Sequence, residues 1–315
     1  MTPTTDHAQE TPDERYHLNR PCLTIPYWTA KQLSAGDPGD GGDVRPLPTG
    51  VISYLCPGIM PLTPFVPGSP LTVQVAVRNS GGGSTTGNAV VTVWWEFPAT
   101  GFAQMLASRM FGVRSVAVPP RGTTNYTTSI TNLVPPSAGP HICLVARVSH
   151  PRDAPPLNSA GNQTPDPGGE RHWAQRNVAY VPSTPGGVID FSFWAANPDQ
   201  RDGEFTLDVR PFRRGSVEHL TRVLRAEPIH AEATFQIRKV RDLREARSQG
   251  GEGAQSVLLP AGGRCAMHLR MNVTNAPAEG QCAAFEIVQR RRQDGPVVGG
   301  IALIVVAYRD ASRDQ

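Results

Sequence analysis

The sequence predicts an all-β protein: two antiparallel sandwiches in tandem, preceded by an extended N-terminal arm. Three observations predict it. Strand-type alternation recurs from Leu71 to Tyr308. Gly and Pro, at 31 residues each, are frequent enough to close many short connections yet too few for a disordered chain. A Pro-Gly-Gly break, Pro182 to Gly187, falls between two blocks of strand pattern.

The elements follow in chain order. Residues 1–50 form an arm and linker. Its first part is polar. Between Tyr16 and Trp28 lie Leu18, Cys22, Leu23, Ile25, Tyr27 and Trp28, with Pro21 and Pro26 opposing a helix. This reads as an extended segment lying on a surface, its own or a neighbour's. Ser34 to Asp43 is turn-rich, and the spacing of Asp37, Asp40 and Asp43 is not that of a calcium loop, so it reads as a linker.

The first sandwich is expected over 51–182. Leu71, Val73, Val75 and Val77 alternate with Thr72, Gln74, Ala76 and Arg78, and the run stops at Asn79-Ser80-Gly81, as a strand with one buried face does. Asn88–Phe97 is a second strand. Phe102, Met105, Leu106 and Met110 have the spacing of a short helix. Ser115–Val118, the Thr-rich Thr123–Leu133, Pro140–Ser149 and Trp173–Val181 complete the set, with a long polar loop over 150–170. The second sandwich is expected over 188–309, with strands near 188–195, 204–209, 233–240, 265–273, 283–289 and 297–308. Val217, Leu220, Val223 and Leu224 suggest a helical insert. Residues 310–315 are a polar tail. Two blocks of this size and strand spacing match immunoglobulin-like sandwiches. One jelly roll is the alternative, and the mid-chain break argues against it.

The alternating run from Leu71 to Gly81, the Asn88–Val93 strand and Pro140 to Val148 together resemble the CARDB-type bacterial immunoglobulin-like domain, over residues 71–181. The name refers to cell adhesion, and the resemblance implies a sandwich fold with no catalytic residues. Such domains carry an acidic, Asn-rich segment before the last strand. Here Asn162–Arg176 places Arg171, His172 and Trp173 at that point, which counts against a calcium or adhesion role.

Composition narrows the function classes. Net charge is +3, and Arg is spread along the chain instead of forming a nucleic-acid face. No apolar run approaches the 18 to 20 residues of a membrane span, and the N-terminus lacks the pattern of a cleaved signal, so the expectation is cytoplasmic synthesis, with the chain kept there or leaving by a route other than a cleaved signal, as in an assembled or released particle. The five cysteines are widely spaced and odd in number, which predicts free thiols and no zinc ribbon; Cys265 and Cys282 are the pair that neighbouring strands could bridge. No nucleophile elbow, phosphate loop or zinc-protease motif occurs, and no cofactor or metal is expected.

Candidate binding residues are few. Glu170 to Val178 is dense in polar and aromatic groups, and Trp and Arg are frequent anchors of protein interfaces. Arg171, His172, Trp173 and Gln175, with Tyr27 and Trp28 of the arm, are therefore the expected protein-contact residues. The competing reading is structural: Trp173 packs under the long loop while Gln175 and Asn177 bond neighbouring backbone. His141 and Cys143 share one face of a strand and read as packing residues. Trp94 and Trp95 point to opposite faces, so at most one faces the core; the other is exposed, covered by the helix or arm, or buried in an interface, and a covered site is the expectation. The function expected from these features is a non-catalytic structural subunit of a larger assembly, with protein partners and self-association. A monomeric adhesin-like or adaptor module is the alternative, and a hydrolase or metalloprotein on the same scaffold a weaker one.

Overall fold

The computed structural model describes residues 19–27, 45–47, 53–63, 65–83, 89–102, 104–139, 141–157, 161, 163–182, 187–211, 226–243, 256–292 and 295–307; of 178–182 only the backbone is described. The chain is all-β, with several antiparallel sheets. In order the strands are β1 (Leu23–Thr24), β2 (Ile59–Pro61), β3 (Pro70–Asn79), β4 (Ala89–Glu96), β5 (Met110–Val116), β6 (Thr123–Tyr126), β7 (Ile130–Leu133), β8 (His141–Ser149) and β9 (Trp173–Pro182). Then come β10 (Val188–Ala196), β11 (Gly203–Pro211), β12 (Glu227–Pro228), β13 (Ala233–Val240), β14 (Ser256–Leu259), β15 (Arg264–Val273), β16 (Gln281–Arg291) and β17 (Val297–Val306).

The described residues form two large apolar cores. The first gathers Leu71, Val73, Val75 and Val77 of β3 against Val91, Val93 and Trp95 of β4 and Ile142, Leu144 and Val148 of β8. Alternation does this directly, because one face of each strand is apolar. A five-stranded sheet, with β3 pairing β1, β2, β6 and β7, covers one side of that core. The second core gathers Phe191 and Phe193 of β10, Leu269 and Met271 of β15, Phe285 of β16 and Leu303 of β17. A three-stranded sheet, β10-β15-β13, covers it.

The other side of both cores is one sheet. Its order is β14-β11-β16-β17-β9-β8-β4-β5, with β12 added on β16. The join is a short parallel pairing of β9 with β17, Tyr180 opposite Ile304 and Pro182 opposite Val306. The two halves are thus linked by backbone hydrogen bonding as well as by the connection after β9.

Side chains reinforce the join. Tyr54 and Leu55 of the first half pack on Cys282, Ala302 and Ile304, which line the face of β16 and β17 turned away from the second core. The Tyr54 hydroxyl donates to Glu286, which also accepts from Arg210 Nε at 2.6 Å. Pro98 and Thr100 bracket Trp194: its N–H donates to the Pro98 carbonyl at 2.9 Å, and its carbonyl accepts from the Thr100 N–H at 3.0 Å. Thr100 donates its hydroxyl to Gln289, and the Gln289 amide donates to the Ala196 carbonyl at 2.7 Å. Gly299 and Gly300 make the close approach possible. A Cβ on Gly299 would overlap the Thr100 carbonyl, and one on Gly300 would overlap the Tyr54 ring.

Several sequence expectations change. Phe102, Met105, Leu106 and Met110 form no α-helix: the segment holds a single 3-10 turn, Ala107–Arg109, and Met110 opens β5. Only Phe102 and Met105 pack inward, over Trp94 and Trp173, while Leu106 and Met110 stay exposed, so the helical stripe has no surface to bury. Ser256–Leu259 forms strand β14, which is not among the strands expected from the pattern. The five cysteines are free, so the bridge between Cys265 and Cys282, which lie in different sheets, is not formed. The suggested helical insert at 217–224 lies outside the described residues.

Gly299→Val should therefore lower stability by about 2 to 4 kcal/mol, more than a well-packed overfill, because the obstacle is a backbone carbonyl. Urea unfolding followed by tryptophan fluorescence measures it; a loss below about 0.5 kcal/mol, the range of a neutral surface change, would contradict the packing described.

Candidate functional site

The residues singled out by sequence, Arg171 to Gln175 with Tyr27, come together at the start of β9, and the arm lies against them. Trp28 lies outside the described residues. Tyr27, His172, Trp173 and Gln175 are buried, and Arg171 is partly exposed.

Residues 19–27, the described stretch of the expected arm, pack on the same chain. β1 pairs with β3, Leu23 opposite Asn79. The Ile25 N–H donates to the Arg171 carbonyl at 3.3 Å, and Arg171 Nη1 donates to the Leu23 carbonyl at 2.5 Å. The Leu23 N–H donates to Asp153 Oδ2 at 2.6 Å. The Tyr27 hydroxyl donates to the Ser53 carbonyl at 2.5 Å and accepts from the Gln175 N–H at 3.1 Å. Extended backbone carries unpaired N–H and C=O groups, and these contacts supply their partners.

Asp153 is the centre of an ionic cluster. Arg171 binds it with two nitrogens, at 2.9 and 2.5 Å, a fork geometry suited to carboxylate. His172 Nε2 lies 3.3 Å from Asp153 Oδ1, and His172 Nδ1 lies 2.8 Å from Glu170 Oε1. Burial alone would raise the Asp153 pKa, but the bonds from Arg171 and His172 win and hold it well below the ordinary carboxylate range. Burial likewise pushes His172 down, and its bonds to Asp153 and Glu170 outweigh that, so its pKa is raised. His172 thus sits between two carboxylates that favour its protonated form.

Trp173 is fully buried on the opposite face of the sheet from the first core. Its ring meets Trp94 at 5.8 Å between centroids, and Phe102, Cys143 and Val145 complete the cluster. The Arg147 guanidinium covers both rings, 5.3 Å from Trp94 and 5.8 Å from Trp173. Trp95 faces the first core. Cys143 is a packing thiol whose Sγ lies 2.9 Å from Asn177 Oδ1; burial pushes its pKa up to about 12, so it stays protonated. His141 packs on Phe191 at 5.0 Å, and burial lowers its pKa to about 4, so it is neutral.

The far edge of β9 has two tenants. The Asn177 N–H donates to the Tyr54 carbonyl at 3.0 Å, and the Cys56 N–H donates to the Gln175 carbonyl at 2.9 Å. Further along the same strand comes the pairing with β17. Arg176 is buried and donates to the Ile59 carbonyl at 2.9 Å. Asp153, Tyr54 and the Gly299-Gly300 pair are the residues that sequence reasoning passed over. A Gly pair inside a strand pattern marks close backbone approach and could have flagged the last; an Asp in a Pro-rich loop carries no such signal. Among the described residues, no group of three His, Cys, Asp or Glu could hold a metal ion, and no helix is long and apolar enough to cross a membrane.

No family model matches this chain, and no curated protein matches it. Solved structures do. The N-terminal domain of PorA is similar at 11% identity and a TM-score of 0.24, over 41% of this chain and 85% of that one. The CupB6 tip adhesin from Pseudomonas aeruginosa is similar at 10% identity and a TM-score of 0.20, over 80% of this chain and 96% of the other. The collagen adhesin CNA from S. aureus is similar at 8% identity and a TM-score of 0.18, over 79% and 91%. Scores this low say nothing about what this chain does.

The cluster makes two predictions with opposite pH signs. His172 has a raised pKa, so its contribution is complete below about 6.5 and is lost as pH rises through the raised value. Asp153 has a lowered pKa, so its contribution is complete above 3.8 and is lost as pH falls through the lowered value. The stability gap between wild type and His172→Gln should be widest near pH 5 and close toward pH 9, by thermal melting across that range. A gap that widens on the alkaline side would contradict the raised pKa. Arg171→Ala leaves the buried Asp153 with only His172 and the Leu23 N–H beside it and should cost about 3 kcal/mol, with earlier proteolytic cutting between residues 19 and 27. Unchanged cutting would mean that Arg171 does not hold the arm.

Proposed function

We propose that the chain is a structural subunit of a larger protein assembly, contributing a stiff two-core body. The observation that supports this reading is the sheet shared by both cores, strengthened by the contacts of Tyr54, Thr100 and Gln289. A connection by linker alone would leave the halves free to swing. A part that sets the spacing of its neighbours gains from having no hinge at its middle. The arm residues 19–27 serve this body by closing its first core, and Arg171, His172, Trp173, Gln175 and Tyr27 serve it from within. Contacts with partners then fall to the exposed strands and edges.

Two edges of the nine-stranded sheet are guarded, as expected of a part that must avoid uncontrolled strand pairing. β14 is only four residues long. On β5, Asn132 Nδ2 donates to the Phe111 carbonyl at 2.8 Å, occupying a backbone group that a new strand would use. Assembly would proceed through side chains on these faces.

Light scattering coupled to size exclusion, run on the full chain over micromolar to millimolar concentration, tests the reading. A mass above that of one chain, growing with concentration or appearing on addition of cell extract, is expected. A single-chain mass under all of these conditions would reject the assembly role and favour the monomeric adhesin-like or adaptor module.

A further inference from the structure

The outer face of the three-stranded sheet carries a second polar constellation, remote from the arm. On β10, Ile189, Phe191, Phe193 and Ala195 face the second core, so Asp190 and Ser192 face outward. On β15, Met267, Leu269 and Met271 face the core, so His268 and Arg270 face outward. The register sets Ser192 directly opposite His268, and Asp190 opposite Arg270. On the far side of β15, Arg238 of β13 stands opposite His268.

These positions are bonded in a specific way. His268 Nε2 lies 3.1 Å from Asp190 Oδ1, and His268 Nδ1 lies 3.2 Å from Ser192 Oγ. Asp190 can only accept, so Nε2 carries the proton and Nδ1 presents its lone pair to the serine hydroxyl. A nucleophile, a base and a carboxylate that orients the base are thereby in hydrogen-bond contact. Burial lowers the His268 pKa, Asp190 raises it, and Arg238 and Arg270 lower it again; the net fall leaves a neutral ring at neutral pH. His268 is buried while the Asp190 side chain is 47% exposed, so the base is shielded and the site stays open. Arg270 stands diagonal to Ser192 on the same face of the sheet and brings positive charge to it.

We propose that Ser192, His268 and Asp190 form a nucleophilic site that accepts an acyl group from small, unhindered activated esters. Ser192 Oγ forms a bond to the ester carbonyl carbon while its proton passes to His268 Nδ1. The bond from that carbon to the leaving oxygen breaks, and the leaving oxygen takes the proton from Nδ1. Water then attacks the acyl-serine by the same route, giving the carboxylic acid and restoring the hydroxyl. Ser192 and His268 are the catalytic residues, and Asp190 is a positioning residue. This activity is additional to the assembly role and does not depend on it.

The test uses the full chain with two probes, a fluorophosphonate and p-nitrophenyl acetate. Intact mass should show one fluorophosphonate adduct per chain, mapped by peptide fragmentation to Ser192, and Ser192→Ala should show none. His268→Gln should slow both labelling and p-nitrophenol release by about 100-fold or more. Asp190→Asn should slow them by about 10-fold, with partial recovery in Asp190→Glu, a rescue that a purely structural role would not give. Circular dichroism and melting verify each fold; if His268→Gln unfolds, the adduct position and Ser192→Ala decide alone. No adduct, an adduct elsewhere, or equal rates in Ser192→Ala and wild type would overturn the proposal.

Discussion

The two edges of β9 are the constraint on which the rest of the structure depends. One edge pairs with β8 inside the first half. The other is divided between Tyr54–Cys56 and, beyond them, β17 of the second half. A β-strand interior must satisfy its N–H and C=O groups on both sides, so this one strand ties three remote stretches of chain together. Its first residue, Trp173, is fixed through the Trp94 cluster, and the turn before it carries the ionic cluster that seats the arm. Displacing β9 would open both cores and free the arm at once.

Buried charge is a costly way to seat an arm. Removing carboxylates and guanidinium from water costs several kcal/mol per ion, and the attraction between them roughly repays it only when the geometry is good. Here Asp153 has Arg171, His172 and the Leu23 N–H around it, so the geometry is good. What the cluster adds is position. An apolar contact would hold Leu23 near the sheet in several registers, whereas the Leu23 N–H and carbonyl bonds to Asp153 and Arg171 admit one. The same logic applies between the halves, where Gln289 and Thr100 choose the alignment that the apolar contact of Tyr54 with Ala302 and Ile304 leaves loose.

Much of the fold was legible in the sequence because strand alternation is a local property. β3, β4, β8, β10, β13 and β15 stand close to where their patterns put them. The opposite faces of Trp94 and Trp95 were legible for the same reason, and so was the cover over Trp94, since a large ring seldom stays in water. Less legible was everything set by long-range pairing. Nothing in β9 or β17 states that the two align in parallel, because the pairing is set by register between remote segments and leaves no mark on either strand's own pattern. The 102–110 segment misled because four apolar residues at helical spacing suffice for a pattern, while two of them find nothing to pack on. Within the candidate site, Arg171, His172, Trp173 and Gln175 stood out by composition, but their neighbour Asp153 did not, since ion pairs across a loop leave no periodicity. The Ser192–His268–Asp190 contact was hidden likewise: Asp190 and Ser192 share a face by spacing, but only the sheet register brings His268 to them.

Native-state hydrogen exchange followed by mass spectrometry tests most directly whether β9 joins the halves into one body. Under conditions where exchange reports the opening equilibrium, amides of β8 and β9 in the first half and of β16 and β17 in the second should open with the same free energy, and denaturant should lower both with one slope. Exchange of β16 and β17 at a markedly lower free energy, while β8 and β9 stay protected, would show that the second half opens alone and would contradict the account.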